Sequence, residues 1–234
     1  MKSKNKIALI ILAGVLVLGI TAGSIWYSGA FGISERRLYA SIKNNPELVA
    51  PYEQAQKDIE TIKKTPDKVT AYVDLGLSWK TMGDLSLKNK DIFYQKARDA
   101  YQAGAQRFGT KNVIFYLNDG KVAELMGDYA DAEANYKKMI EISAGDEAGY
   151  ISLATLYDYK LHKTPEEIVA VYNQGIAKLF NPIALVSARG TYLRRIGDYK
   201  NALADYQLLV KYYPNNDGYK AIVQELNAKI KGEL

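Results

Sequence analysis

Apolar residues follow two patterns along this chain. From Ile7 to Tyr27, in "IALIILAGVLVLGITAGSIWY", 21 consecutive residues carry no charge. From about Ser34 onward, apolar residues instead recur three and four apart, the spacing of one helical face. The last such stripe holds Tyr219, Ile222, Val223, Leu226 and Ile230, with Lys and Glu opposite. No alternating, strand-like pattern occurs, so the sequence predicts an all-α domain behind an uncharged leading segment. Two helices are expected at its start. One begins at Ser34, a capping residue, and stops by Pro46; the next runs from Pro51 to Lys64, ahead of Pro66.

The helical region repeats. "GDYADAEANYKKMIEIS" begins at Gly127 and "GDYKNALADYQLLVKYYPNN" at Gly197, 70 residues later; another Gly-Asp stands at Gly83. The flanking residues explain the unequal intervals. Tyr72, Leu75, Gly76 and Trp79 precede Gly83, and small residues recur in matching places at Gly120, Ala154 and Gly190. Downstream come Ala97, Ala132 and Ala202, with Ile168 departing, and then Tyr101, Tyr136, Tyr172 and Tyr206. This resembles the tetratricopeptide repeat, a helix hairpin of about 34 residues with small residues at its helix contact and an aromatic beside them. Four copies align: 69–109, 113–145, 147–182 and 183–216. The first carries about nine extra residues around "LSLKNKDIF" and the third about two in "DYKLHKTPEE", both expected in turns, where insertion costs little. Residues 34–68 then read as N-terminal helices forming a half-repeat cap, and 217–234 as a C-terminal capping helix. The implied fold is an all-α superhelix, a solenoid of stacked hairpins.

The leading segment reads as a membrane anchor. A helix over Ile7–Tyr27 would rise roughly 31 Å, enough for a hydrocarbon core of about 30 Å. Trp26 and Tyr27 sit at one end, and Lys2, Lys4 and Lys6 precede the other. That bias places a basic tail (1–6) in the cytoplasm, a transmembrane signal anchor at 7–27 and a linker at 28–33, with the repeats outside. A cleaved signal peptide, with Ser28-Gly29-Ala30 as its processing site, and the reverse orientation are the alternatives. With no Cys in the chain, a lipid-modified cysteine is excluded.

Composition narrows the chemistry. Setting the three leading lysines aside leaves 28 basic against 26 acidic residues, which is no nucleic-acid footprint. A single His, His162, and the missing Cys argue against metal clusters and thiol chemistry. No phosphate-binding loop or nucleophile–base motif appears. Together with the resemblance, which implies protein binding, the expectation is a scaffold without cofactor or catalysis.

The resemblance implies that first helices line a concave groove holding a partner's peptide or helix. Its positions here are Val73, Leu77 and Lys80; Ile114, Leu117, Asn118 and Lys121; Ile151, Ser152, Thr155 and Asp158; and Ser187, Thr191, Arg194 and Arg195. The early positions are apolar and the late ones polar and basic. The protein's own N-terminal helix could equally cover the apolar half. A two-carboxylate clamp for chaperone tails is not matched, since only Asn118 falls on one of its places. An enzyme would need titratable groups gathered in the groove, and Lys121, Asp158 and Arg194 lie on separate repeats.

Overall fold

The computed structural model describes residues 38–40, 42–109 and 112–232. The expected tail, anchor and linker (1–6, 7–27, 28–33) lie outside the described residues. Among the described residues, no helix is long and apolar enough to cross a membrane. A short helical stretch at 38–40 and 42–43 leads into ten longer helices. They are α1 (Pro46–Lys64), α2 (Val69–Leu85), α3 (Lys90–Phe108), α4 (Ile114–Met126) and α5 (Tyr129–Ile142). Then follow α6 (Glu147–Tyr159), α7 (Pro165–Lys178), α8 (Ile183–Arg195), α9 (Tyr199–Tyr212) and α10 (Asp217–Lys231). Two compact units divide the chain, Met1–Asp128 and Tyr129–Leu234.

The Gly-Asp-Tyr sequence is a turn with assigned parts. Gly127 and Gly197 have φ of 79° and 86°, in the left-handed region that a side chain disfavours. The next amides return to the helix just ended: Asp128 N–H donates to Ala123 O and Asp198 N–H to Leu193 O, both at 2.9 Å. Asp198 then caps α9 by accepting from the Asn201 amide. Elsewhere Thr164 and Glu167 form a reciprocal capping box on α7. Gly83-Asp84 is different. Gly83 lies inside α2, where a Cβ would meet the Tyr94 ring at 2.4 Å, and Asp84 accepts from the Tyr94 hydroxyl at 2.9 Å. Burial, then this bond, push the Tyr94 phenol up to about 12.

Two expectations change. The extra residues of the first repeat are mostly helix rather than turn: α2 and α3 have 17 and 19 residues. Each later pair has a 13-residue first helix and a 14-residue second helix. Phe93, taken as the last residue of the insertion, and Tyr94 after it are buried in the hydrophobic core. The helix expected at Pro51 instead starts at Pro46, and Pro51 lies within it. Asn45 accepts from the Glu47 amide, and Pro46 occupies the first turn, where a missing N–H is harmless. Leu48, Ala55 and Ile62 are buried along this helix, on both sides of the backbone bond that Pro51 forgoes.

In the first unit the close approach is explicit. A Cβ on Gly76 would lie 2.2–2.7 Å from three ring atoms of Tyr101, so the tyrosine ring occupies the space a side chain would fill. Gly104 does the same for Phe115, carrying the contact from α3 to α4. Rings continue this core: Tyr72 packs edge-on to Phe108 and Phe115, and Trp79 stacks on Phe93. In the second unit, Gly190 faces Tyr206, and Gly175 faces both Tyr150 of α6 and Leu185 of α8. Tyr101, Tyr136, Tyr172 and Tyr206 are all buried.

Replacing Gly76 by Ala would add about 1 kcal/mol of helix propensity but overpack the Tyr101 ring by about 1–3 kcal/mol. We expect a net loss of stability in urea unfolding, partly rescued by Tyr101→Leu; Gly145→Ala, with open space around it, should be near neutral. Asp58 offers a pH test. It is buried on α1 with one oxygen, Oδ2, unpartnered, and burial raises its pKa despite the bond from Gln54. Below the unfolded carboxyl range both states are protonated and nothing is lost; as pH rises through the folded-state value, keeping the charge buried costs stability. The Tm advantage of Asp58→Asn over the parent should therefore grow from pH 4 to pH 7.

Candidate functional site

In the first unit, α2 and α4 are neighbours, and their named positions differ in availability. Val73 and Ile114 are partly buried and pack on the hydrophobic core. Leu77, one turn beyond Val73, is 53% exposed. Leu117 and Asn118 are half-buried, and Lys121 is exposed. The Lys80 ammonium is 2.6 Å from Asp84, whose other oxygen holds Tyr94. Helix α1 packs on α2 through Tyr52 against Trp79, with Leu48, Ala55 and Ile62 buried, and it leaves Leu77 open. On α2 this leaves an exposed Leu77 with a paired Lys80 one turn on, and on α4 an exposed Lys121.

The charged positions named in the second unit are all paired. Arg195 of α8 pairs with Asp158 of α6, and its guanidinium lies 5.3 Å from the centroids of the Tyr159 and Tyr192 rings. Arg194 pairs with Glu225 on α10. Thr191 Oγ1 lies 2.9 Å from Ser187 O and 3.1 Å from the Tyr206 hydroxyl. Ile151 is half-buried and Thr155 exposed. The expected basic stretch is therefore made of neutralised cations, because Asp158 and Glu225 come from helices whose register cannot be read off the α8 sequence. Burial, with the Asp158 charge next, pushes Tyr172 up to about 12. His162 is exposed in the turn before α7.

Charged residues the repeat pattern passed over lie deeper. Arg98 of α3 and Asp119 of α4 pair at 2.7 Å with only 6% of each side chain exposed. Arg98 also reaches Asp128 at 3.1 Å, and Gln102 donates to the other Asp119 oxygen. In the second unit the Arg189 guanidinium grips Asp205 with two hydrogen bonds and also reaches Asn173. That cluster lines a depression of about 380 Å³ with Pro165, Leu193 and Asn201. A signal existed: the position before the small residue of the first helix reads Leu75, Asp119, Leu153 and Arg189. Two charges in a column of leucines mark two buried ion pairs.

No family model and no curated protein matches the chain. Among solved structures it is similar to a thermophilic TPR protein of Thermus thermophilus, at 15% identity over 87% of this chain and 93% of that chain, with a TM-score of 0.39. The fold is an all-α array of successive helix pairs, as the tetratricopeptide resemblance of the sequence implies. Of the named first-helix positions among the described residues, Leu77 on α2 is the large apolar side chain left exposed.

Removing one partner of a buried pair strands the other charge. Asp119→Ala should cost about 3–5 kcal/mol in denaturant unfolding, whereas Asp158→Ala, releasing the partly exposed Arg195, should cost about 1 kcal/mol or less.

Proposed function

We propose that this chain is a membrane-anchored scaffold that binds a peptide or helix of a protein partner on the first-helix face of its N-terminal unit. The exposed Leu77, one turn along α2 from the core residue Val73, carries the reading, with the partly buried Ile114 and Leu117 on the neighbouring α4. An apolar side chain kept in water on a rigid helix stabilises nothing in the free protein and gives a partner's apolar residue a place to bury. Lys121 and Asn118 beside it favour a segment bringing a carboxylate or carbonyl alongside that residue. In the second unit, the pairing of Arg194 and Arg195 leaves that face less able to attract an acidic partner.

The anchor is the uncharged run Ile7–Tyr27, with Lys2, Lys4 and Lys6 before it and Trp26 and Tyr27 at its far end. In this reading the N-terminus stays in the cytoplasm and the repeats work outside it, assembling or holding proteins at the cell envelope.

Leu77→Asp changes an exposed site, so stability should move by about 0.5 kcal/mol or less while partner affinity falls at least about tenfold. Thermal unfolding and co-purification of the full chain with its partner check the two halves. Unchanged capture by a folded Leu77→Asp protein would count against this face.

A further inference from the structure

The large apolar side chains left exposed in the first unit are not scattered. Among the described residues, six of seven lie toward one end: Tyr39, Val49, Leu85, Leu87, Ile92 and Leu125. Leu77 is the exception. Helix register establishes the grouping. Tyr52 meets Trp79, Gly83 faces Tyr94, and Arg98 pairs with Asp119, so the start of α1, the end of α2, the start of α3 and the end of α4 lie level. Leu87, in the turn between α2 and α3, is 99% exposed, with Leu85 and Ile92 on its two flanks. The opposite end, with the turns 65–68 and 109–113, exposes no large apolar residue among its described positions. Exposed Lys43, Lys88 and Lys90 accompany the apolar end, as do exposed Glu47 and Asp91.

The first of the described residues also lie at this end. Rings of Tyr39, Tyr52, Trp79 and Phe93 form a continuous series with 6.2 Å between successive centroids, joining residue 39 to the beginning of α3. Between Tyr27 and Leu38 lie eleven residue steps, which span at most roughly 40 Å when extended. A segment held in a bilayer over Ile7–Tyr27 therefore keeps this end of the unit close to the lipid surface, at high effective concentration.

We propose that the α2–α3 turn is a second membrane contact, with Leu87 entering the interfacial region of the bilayer, Leu85 and Ile92 resting on it, and the lysines reaching the headgroups. This rests on the anchor reading above. Leucine and lysine together suit that layer, where an apolar stem and a charged head are both accommodated. A single leucine binds lipid weakly, and the tether makes weak binding sufficient. The contact would hold Leu77, eight residues up α2, about 12 Å above the turn.

The chain has no native cysteine, so one label can be placed without competition. Full-length protein carrying Leu87→Cys, or Asp67→Cys at the opposite end, is labelled with an environment-sensitive fluorophore. Each is reconstituted in phosphatidylcholine–phosphatidylglycerol vesicles with and without nitroxide-bearing lipid, and flotation is measured on the same samples. The expected result is co-flotation of both proteins, with a blue-shifted label at 87 quenched at least about twofold more than the label at 67. Co-flotation with a water-like, unquenched label at 87 overturns the turn contact and leaves the anchor standing. A protein that does not float overturns both. A blue shift that lipid nitroxide fails to quench, and that grows with the protein-to-lipid ratio, assigns the turn to a second copy and also overturns the proposal.

Discussion

The fold depends on how closely two helices of a pair can approach. Where Gly76 faces Tyr101, the missing side chain on one helix is the space that the ring on the other fills, and at Gly190 a Cβ would press on Asp205 and then on the Tyr206 ring. Neither half is useful alone. A glycine in a helix costs about 1 kcal/mol, and a buried tyrosine needs a place for its ring. The same arrangement passes between pairs, from Gly104 to Phe115 and from Gly175 to Tyr150 and Leu185. Because ring and gap are matched in shape, the register of each helix against its neighbour is set within a turn. Which residues lie level, and which share a face, follows from that register.

Fixed register also explains how buried charge is tolerated. Asp119 can stand in a column otherwise leucine because the α3–α4 contact brings the Arg98 guanidinium to hydrogen-bonding distance of its carboxylate, with Gln102 and Asp128 completing the set. Such a pair contributes little net stability compared with an apolar substitute, but any slipped register strands a charge. Arg189 and Asp205 act likewise in the second unit. Near the surface the same economy removes Arg194 and Arg195 from the pool of free cations.

Much of this was legible in the sequence because the repeat's signal is local. Small residue, aromatic and Gly-Asp turn recur at set offsets, so helix pairs could be placed without knowing their partners. Gly83-Asp84 misled because the same dipeptide serves a different purpose: inside a longer helix, its glycine makes room for Tyr94. Pro51 misled because a proline near a helix start need not end the preceding segment. The site was less legible for a physical reason. Whether Arg195 is free depends on Asp158, 37 residues away, and whether Leu77 is covered depends on where α1 lies. Charge at Asp119 and Arg189, in a column otherwise leucine, was the one long-range signal the sequence did carry.

What distinguishes the two faces is therefore not composition but what each has left unsatisfied. At α2 and α4 an apolar side chain remains in water; at α6 and α8 the polar groups have found one another. Site-specific photocrosslinking in intact cells tests this most directly, with the reactive group placed in turn at Leu77, Leu117, Thr155 and Thr191. The account predicts one and the same partner protein crosslinked from Leu77 and Leu117, and little or none from Thr155 and Thr191. Crosslinks from Leu77 and Leu117 that stay within the chain, or a partner captured only from Thr155 and Thr191, would contradict it.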